Sequence, residues 1–218
     1  MISNKIALLF LILHAGYTVV INGPIFDPPP PDEAAKMARY IMANSEWISI
    51  ATISTMKNIK GYPFNAIQSV SDGTPSNSTG VPYLYLTDLD ATSQDLAKDN
   101  RCTITASLAE TDYCDRKKYD PEDPRCARLM ITGRMLKLDK KSPEYQFGEN
   151  ALFSKHPVMK SWPKDHNFYV TKLDIEQLAL FDFFGGIKYI SIEDYFNVST
   201  HVFEDIIFER VEFIEITA

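Results

Sequence analysis

Short β-branched, apolar runs recur along this chain. Most are closed by a glycine, proline or Asn/Asp turn, and this recurrence confines the fold to a mainly β architecture. Residues 47–55, Trp47-Ile-Ser-Ile-Ala-Thr-Ile-Ser-Thr55, alternate with period two and read as a strand. A second run, 64–70, follows Gly61-Tyr-Pro63 and stops at Ser71-Asp-Gly73. Residues 81–86, 102–108 and 128–138 repeat the pattern, and 166–173 and 175–183 read as two final strands before Gly185-Gly186. Helical spacing interrupts them three times: after Asp32 as far as Met42, around 93–98, and from Ser142 to about Phe153. In the last of these, serine caps the helix and Pro143 occupies its first turn. Many short strands with helices inserted between them imply a closed or partly closed β-barrel.

The amino terminus reads differently from the rest. Met1-Ile-Ser-Asn-Lys5 is mildly basic, 6–13 is an unbroken apolar run, and Asn22-Gly-Pro24 breaks the pattern before prolines 28–31. This is the layout of a secretory signal peptide, assigned to residues 1–22, with cleavage after Ala15, Gly16 or Gly23 all compatible. A membrane anchor would need roughly 20 uninterrupted apolar residues, and His14 and Gly16 break the run. Removing the leader leaves about 195 residues, enough for one domain with a full core.

A secretory route changes the meaning of cysteines and asparagines. Cys114 and Cys126 bracket a polar, proline-containing loop with few apolar anchors, and a disulfide there would restrain it. Cys102 lies in a strand-like run and reads as a buried free thiol. The sequons Asn77-Ser-Thr79 and Asn197-Val-Ser199 are the expected N-glycosylation sites. The first falls in a turn-rich segment read as an exposed loop. Net charge is −7 with no basic face, which argues against direct DNA or RNA binding.

Catalytic signatures are absent: there is no phosphate-binding glycine loop, nucleophile elbow or His-Glu-x-x-His. His156 and His166 flank Pro157-Val-Met-Lys-Ser-Trp-Pro163 and could in principle share a metal or a proton. No acid or cysteine stands at ligand spacing, so one histidine is expected to bond a turn and the other to start a strand. Asp182-Phe-Phe-Gly-Gly186 reads as a turn.

Several uncommon runs occur together and in order. They are Met37-Ala-Arg-Tyr40, Trp47, Ala51-Thr-Ile-Ser-Thr55, Gly61-Tyr-Pro-Phe64, Ser71-Asp-Gly73 and Gly80-Val-Pro-Tyr83. The Cys114–Cys126 loop, His156-Pro-Val-Met-Lys-Ser-Trp-Pro163, His166-Asn-Phe168, Phe183-Phe-Gly-Gly186 and Glu193-Asp-Tyr-Phe-Asn-Val198 complete the set. From about residue 30 to 199 the chain resembles the CREG family of secreted or lysosomal glycoproteins, cellular repressors of genes stimulated by an early adenoviral protein. The resemblance implies a mainly β fold with flanking helices, a split β-barrel of the FMN-binding, pyridoxamine-phosphate-oxidase-like type. It also implies a homodimer, a role in growth and differentiation, and sorting receptors that read mannose phosphate on glycans. Residues 200–218, apolar and acidic, depart from the family pattern and are open to reading as strand, helix or tail.

Flavin-binding relatives place a basic side chain after the third strand, where it meets the cofactor phosphate. Here 87–95, Thr-Asp-Leu-Asp-Ala-Thr-Ser-Gln-Asp, offers Asp88, Asp90 and Asp95 and no base before Lys98. A phosphate dianion there would be repelled. Lys98, Arg101 and the hydroxyls of Thr52, Ser54 and Ser93 are the residual candidates for a weak anion site, with Arg101 expected to face solvent. The expectation is therefore a non-enzymatic protein without flavin, metal or membrane span, acting through protein partners. A flavin-dependent oxidoreductase is the alternative. The aromatics of 83–85 and 181–184 have two readings, an interface that holds a homodimer or core packing.

Overall fold

The computed structural model describes residues 27–74 and 77–198. The leader assigned to 1–22 and the segment 200–218 lie outside the described residues.

Helix α1 (Ala34–Asn44) precedes strand β1 (Trp47–Ile53), followed by β2 (Pro63–Ser69), β3 (Ser71–Thr74) and β4 (Asn77–Leu86). Next come α2 (Ala91–Leu96), β5 (Arg101–Ser107), α3 (Tyr113–Lys117), β6 (Arg128–Lys137) and α4 (Pro143–Lys155). Strands β7 (Tyr169–Phe181) and β8 (Lys188–Ile190) and helix α5 (Ile192–Phe196) complete the described chain. The sheet runs β2-β1-β5-β6-β7-β4-β3, with β8 added to β7, and every pairing is antiparallel.

That order carries the closure. Its two ends, β2 and β3, are one stretch of chain separated only by Val70. The stretch leaves β1 at Ser69 and joins β4 at Ser71, so the sheet must curl round on itself. Val70 is fully buried, its amide donates to the Glu46 carbonyl at 3.2 Å, and its own carbonyl meets His156 Nε2 at 3.0 Å. The barrel is nevertheless split. Ser71 pairs with Tyr83; continued backward, the ladder would set Ser69 opposite Tyr85 and Ile67 opposite Thr87. Instead β2 pairs with β1 and this end of β4 pairs with β7, which leaves a seam between them.

Period-two burial fills the interior. Ile48 and Ile50 of β1, Cys102, Ile104 and Ala106 of β5, and Leu129 and Ile131 of β6 point inward. Helix α1 closes one end with Met37, Ile41 and Met42. A second cluster, Tyr83, Tyr145, Leu152, Met159 and Val170, seats α4 against the outside. Gly148 permits that approach, since a Cβ there would stand 2.7 Å from the Tyr83 ring.

Two expectations change, and a third point left open is decided. The two final strands are one, β7, which continues through a bulge: Thr132 faces Gln177 and Gly133 faces Ile175, so the extra residue, Glu176, is accommodated within β7 itself. The first sequon is not in a loop: Asn77 opens β4 and pairs with Thr74 of β3, though it is exposed. Of the two readings of the aromatics, Tyr83 and Tyr85 take the core one, packed in clusters, whereas Phe183 and Phe184 are exposed. Cys114 and Cys126 are joined by a disulfide, and Cys102 is free and buried.

Candidate functional site

The seam is lined by a cavity of about 610 Å³. Ala66, Ile67, Gln68 and Ser69 of β2 form one wall; Tyr85 and Thr87 at the end of β4, with Asp90, form the other. Met159, Trp162, Pro163 and Phe168, from the turns between α4 and β7, close the third side. Three rings gather there. Tyr85 stacks on Phe168 at 5.0 Å and on Trp162 at 6.1 Å, and Trp162 tilts against Phe168 at 5.0 Å. Phe153 of α4 meets Tyr85 edge-on at 5.4 Å. Stacked and edge-on rings of this spacing add to the stability that their burial provides.

Local chemistry fixes the rim. Asp90 caps α2, its Oδ1 accepting from the Thr92 amide at 3.1 Å. Its Oδ2 accepts from Gln68 Nε2 at 2.6 Å, a clasp from β2 across the seam. Thr87 Oγ1 donates to the His166 carbonyl at 2.6 Å and ties β4 to the opposite turn. Tyr169 donates to Asp88 at 2.9 Å. Burial pushes the Tyr169 phenol up to about 12, against a lowering hydrogen bond from Ser93 and with Asp88 and Asp90 adding to the rise.

The acids singled out from sequence are thus spent on structure. Asp95 is buried, not in the cavity, and accepts from Thr52 Oγ1 at 2.8 Å, from the Thr55 amide at 2.6 Å and from the Thr55 hydroxyl at 2.8 Å. Only Asp90 lines the seam. The candidate bases are elsewhere: Lys98 is exposed, and exposed Arg101 pairs with Asp99 at 2.5 Å. Ser54 accepts from the Met56 amide at 3.2 Å, and Thr52 is committed to Asp95. None of the lining residues is Lys or Arg. A wall of rings with one carboxylate and no cation does not fit the phosphate of a flavin mononucleotide.

The two histidines do not form a pair. His156 bonds Val70 and stands 3.8 Å from Glu46, while exposed His166 contributes its carbonyl to Thr87 and its ring to Phe168 at 6.1 Å. Among the described residues no group of three or more His, Cys, Asp or Glu is placed to hold a metal, and no helix is long and apolar enough to cross a membrane. The aromatic seam itself was missed from sequence. Its signal was the density of rings in 162–168 and 83–85, which carries no periodicity to say that the two runs meet.

Comparison with known proteins agrees with this geometry. Among solved structures, a heme binding protein from Mycobacterium smegmatis superimposes with a TM-score of 0.60 at 19% identity, over 78% of this chain and 61% of that one. A pyridoxinephosphate oxidase family protein from Clostridium acetobutylicum gives 0.52 at 12% identity, over 76% and 99%. Both likenesses establish the split-barrel fold. In sequence, Protein CREG1 of Gallus gallus is 42% identical over 193 residues, 88% of this chain and 98% of that protein. Protein CREG1 of Mus musculus is 42% identical over 171 residues, 78% and 77%. The family model "CREG, beta-barrel" matches residues 29–197. With the model covering nearly all of the described barrel, and relatives this similar over most of their length, the chain belongs to the CREG family.

Proposed function

We propose that this chain is a non-enzymatic, N-glycosylated protein, secreted or lysosomal, that contributes to control of cell growth and differentiation through protein or receptor partners. The observation that supports the non-enzymatic part is the lining of the seam cavity, rings and Asp90 with no Lys or Arg, which is a poor match to a phosphate-bearing cofactor. Asn77 and Asn197 are both exposed, which supports glycans at each, and those glycans are the proposed handle for a mannose-phosphate-type sorting receptor. Exposed Phe183, Phe184, Ile187 and Tyr189 supply an apolar face for a homodimer. A flavin-dependent oxidoreductase is the competing reading. It rests on the barrel, and fold alone is a poor guide to function.

Titration of the purified glycoprotein with flavin mononucleotide, read by flavin fluorescence, tests the proposal. No saturable quenching is expected. Saturable binding at low micromolar concentration would transfer the case to the oxidoreductase.

A further inference from the structure

We propose that the seam cavity binds a small organic cation with a flat apolar body, of the arylalkylamine class. The inference deepens the reading of the same cavity: a wall that repels phosphate is suited to the opposite charge. Three features converge. Tyr85, Trp162 and Phe168, packed on one another, line the cavity with aromatic surface of the kind that attracts a cation. Ile67, Met159 and Pro163 supply apolar surface for the body of the ligand. Asp90 supplies the countercharge, and it is held rather than free: the Thr92 amide and Gln68 Nε2 fix its two oxygens, so no side-chain search precedes binding. Each oxygen keeps lone-pair capacity for an ammonium donor.

The cations nearest in sequence do not cancel this field from within. Lys160 and Lys164 are exposed and do not line the cavity. Lys137 covers the Tyr169 ring at 3.4 Å, and Tyr169 in turn bonds Asp88. The cavity is also large enough for a single-ring amine, falling within the range of roughly 300–1,000 Å³ typical of small-molecule sites.

The test uses three matched probes, 2-phenylethylamine, 2-phenylethanol and 3-phenylpropanoate, titrated into the whole protein in low salt. Trp162 emission, in a W47F background that leaves it the sole tryptophan, is the readout. The amine is expected to saturate with an affinity at least about tenfold above the alcohol, with the carboxylate weakest. D90N keeps an N-cap residue, so the helix survives; it is expected to remove most of the gap between amine and alcohol while leaving the alcohol unchanged. W162L, read by calorimetry, should weaken both. Equal or tighter binding of the carboxylate, no saturable signal from any probe, or an undiminished gap in D90N would each overturn the proposal. These outcomes are separable from the flavin titration, which neither an amine site nor its failure would alter.

Discussion

The Asp95 carboxylate accepts the Thr52 hydroxyl at 2.8 Å and so fastens α2 to the end of β1. Two residues that sequence alone offered to a phosphate, one as obstacle and one as ligand, therefore satisfy each other. With Thr55 contributing its amide and hydroxyl, a buried charge is paired off in full view of the fold and out of reach of the cavity. Asp95→Ala should destabilise by about 3 kcal/mol, since three donors lose a charged acceptor. Urea denaturation measures it, and a loss below about 1 kcal/mol would contradict the clasp.

A second buried knot links the helices to the first sequon. Arg39, 2% exposed, donates to the Ser78 carbonyl at 2.8 Å and lies 5.4 Å from the Tyr195 ring centroid. The Tyr195 hydroxyl donates to the Gly80 carbonyl at 2.8 Å. Gly80 has φ +80°, and a Cβ there would stand 2.7 Å from Arg39 Nε. Gly80→Ala combines strain with that clash and should cost about 2–3 kcal/mol. Tyr195→Phe, which removes one hydrogen bond and little volume, should cost about 1–2 kcal/mol. Thermal unfolding that ranks the pair the other way would refute the packing argument.

Stability should also vary with pH through Glu110. Burial pushes its carboxyl up to about 7; the Ser107 amide, 2.9 Å from Oε1, the Trp47 amide, the Ser45 hydroxyl and the charge of Lys155 oppose this but do not prevail. The folded state therefore holds its proton more tightly than the unfolded state does. The stabilisation is fully present below the ordinary carboxyl range and is lost as pH rises toward about 7. Midpoints in urea should fall across that window, and Glu110→Gln should flatten the fall. An unchanged slope in the variant would assign the dependence to other groups.

Cysteine chemistry gives a direct assay. Burial pushes the Cys102 thiol up to about 12, so the native protein should resist iodoacetamide at neutral pH and take one label after unfolding. Non-reducing peptide maps should show Cys114 joined to Cys126, and replacing both with serine should cost about 3 kcal/mol in the chain-entropy account. Labelling of folded protein at Cys102 would count against its burial.

The apolar face can be tested independently. Phe184 is 62% and Tyr189 67% exposed. If that face pairs two copies, light scattering at micromolar concentration should report a dimer, and Phe184→Asp should shift it to monomer without loss of fold. A monomer in the unaltered protein would remove the proposal.

Local chemistry was readable in the sequence. Period-two runs placed β1, β5 and β6, because alternation across a pleat is a property of each strand by itself. Ser142 and Pro143 marked the start of α4 for the same reason, a cap being satisfied within one turn. The ordered family motifs named the barrel. Pairing between distant segments was not readable. Nothing local says that Val70 hands one strand from β1 to β4, that Gln68 reaches Asp90, or that Tyr85, Trp162 and Phe168 gather into one cluster. Nor does it say that Asp95 is consumed by Thr52 while Asp90 alone reaches the cavity. Those choices depend on which surfaces meet when the sheet curls. Closure of the barrel made them, by bringing together residues whose partners lie tens of positions away.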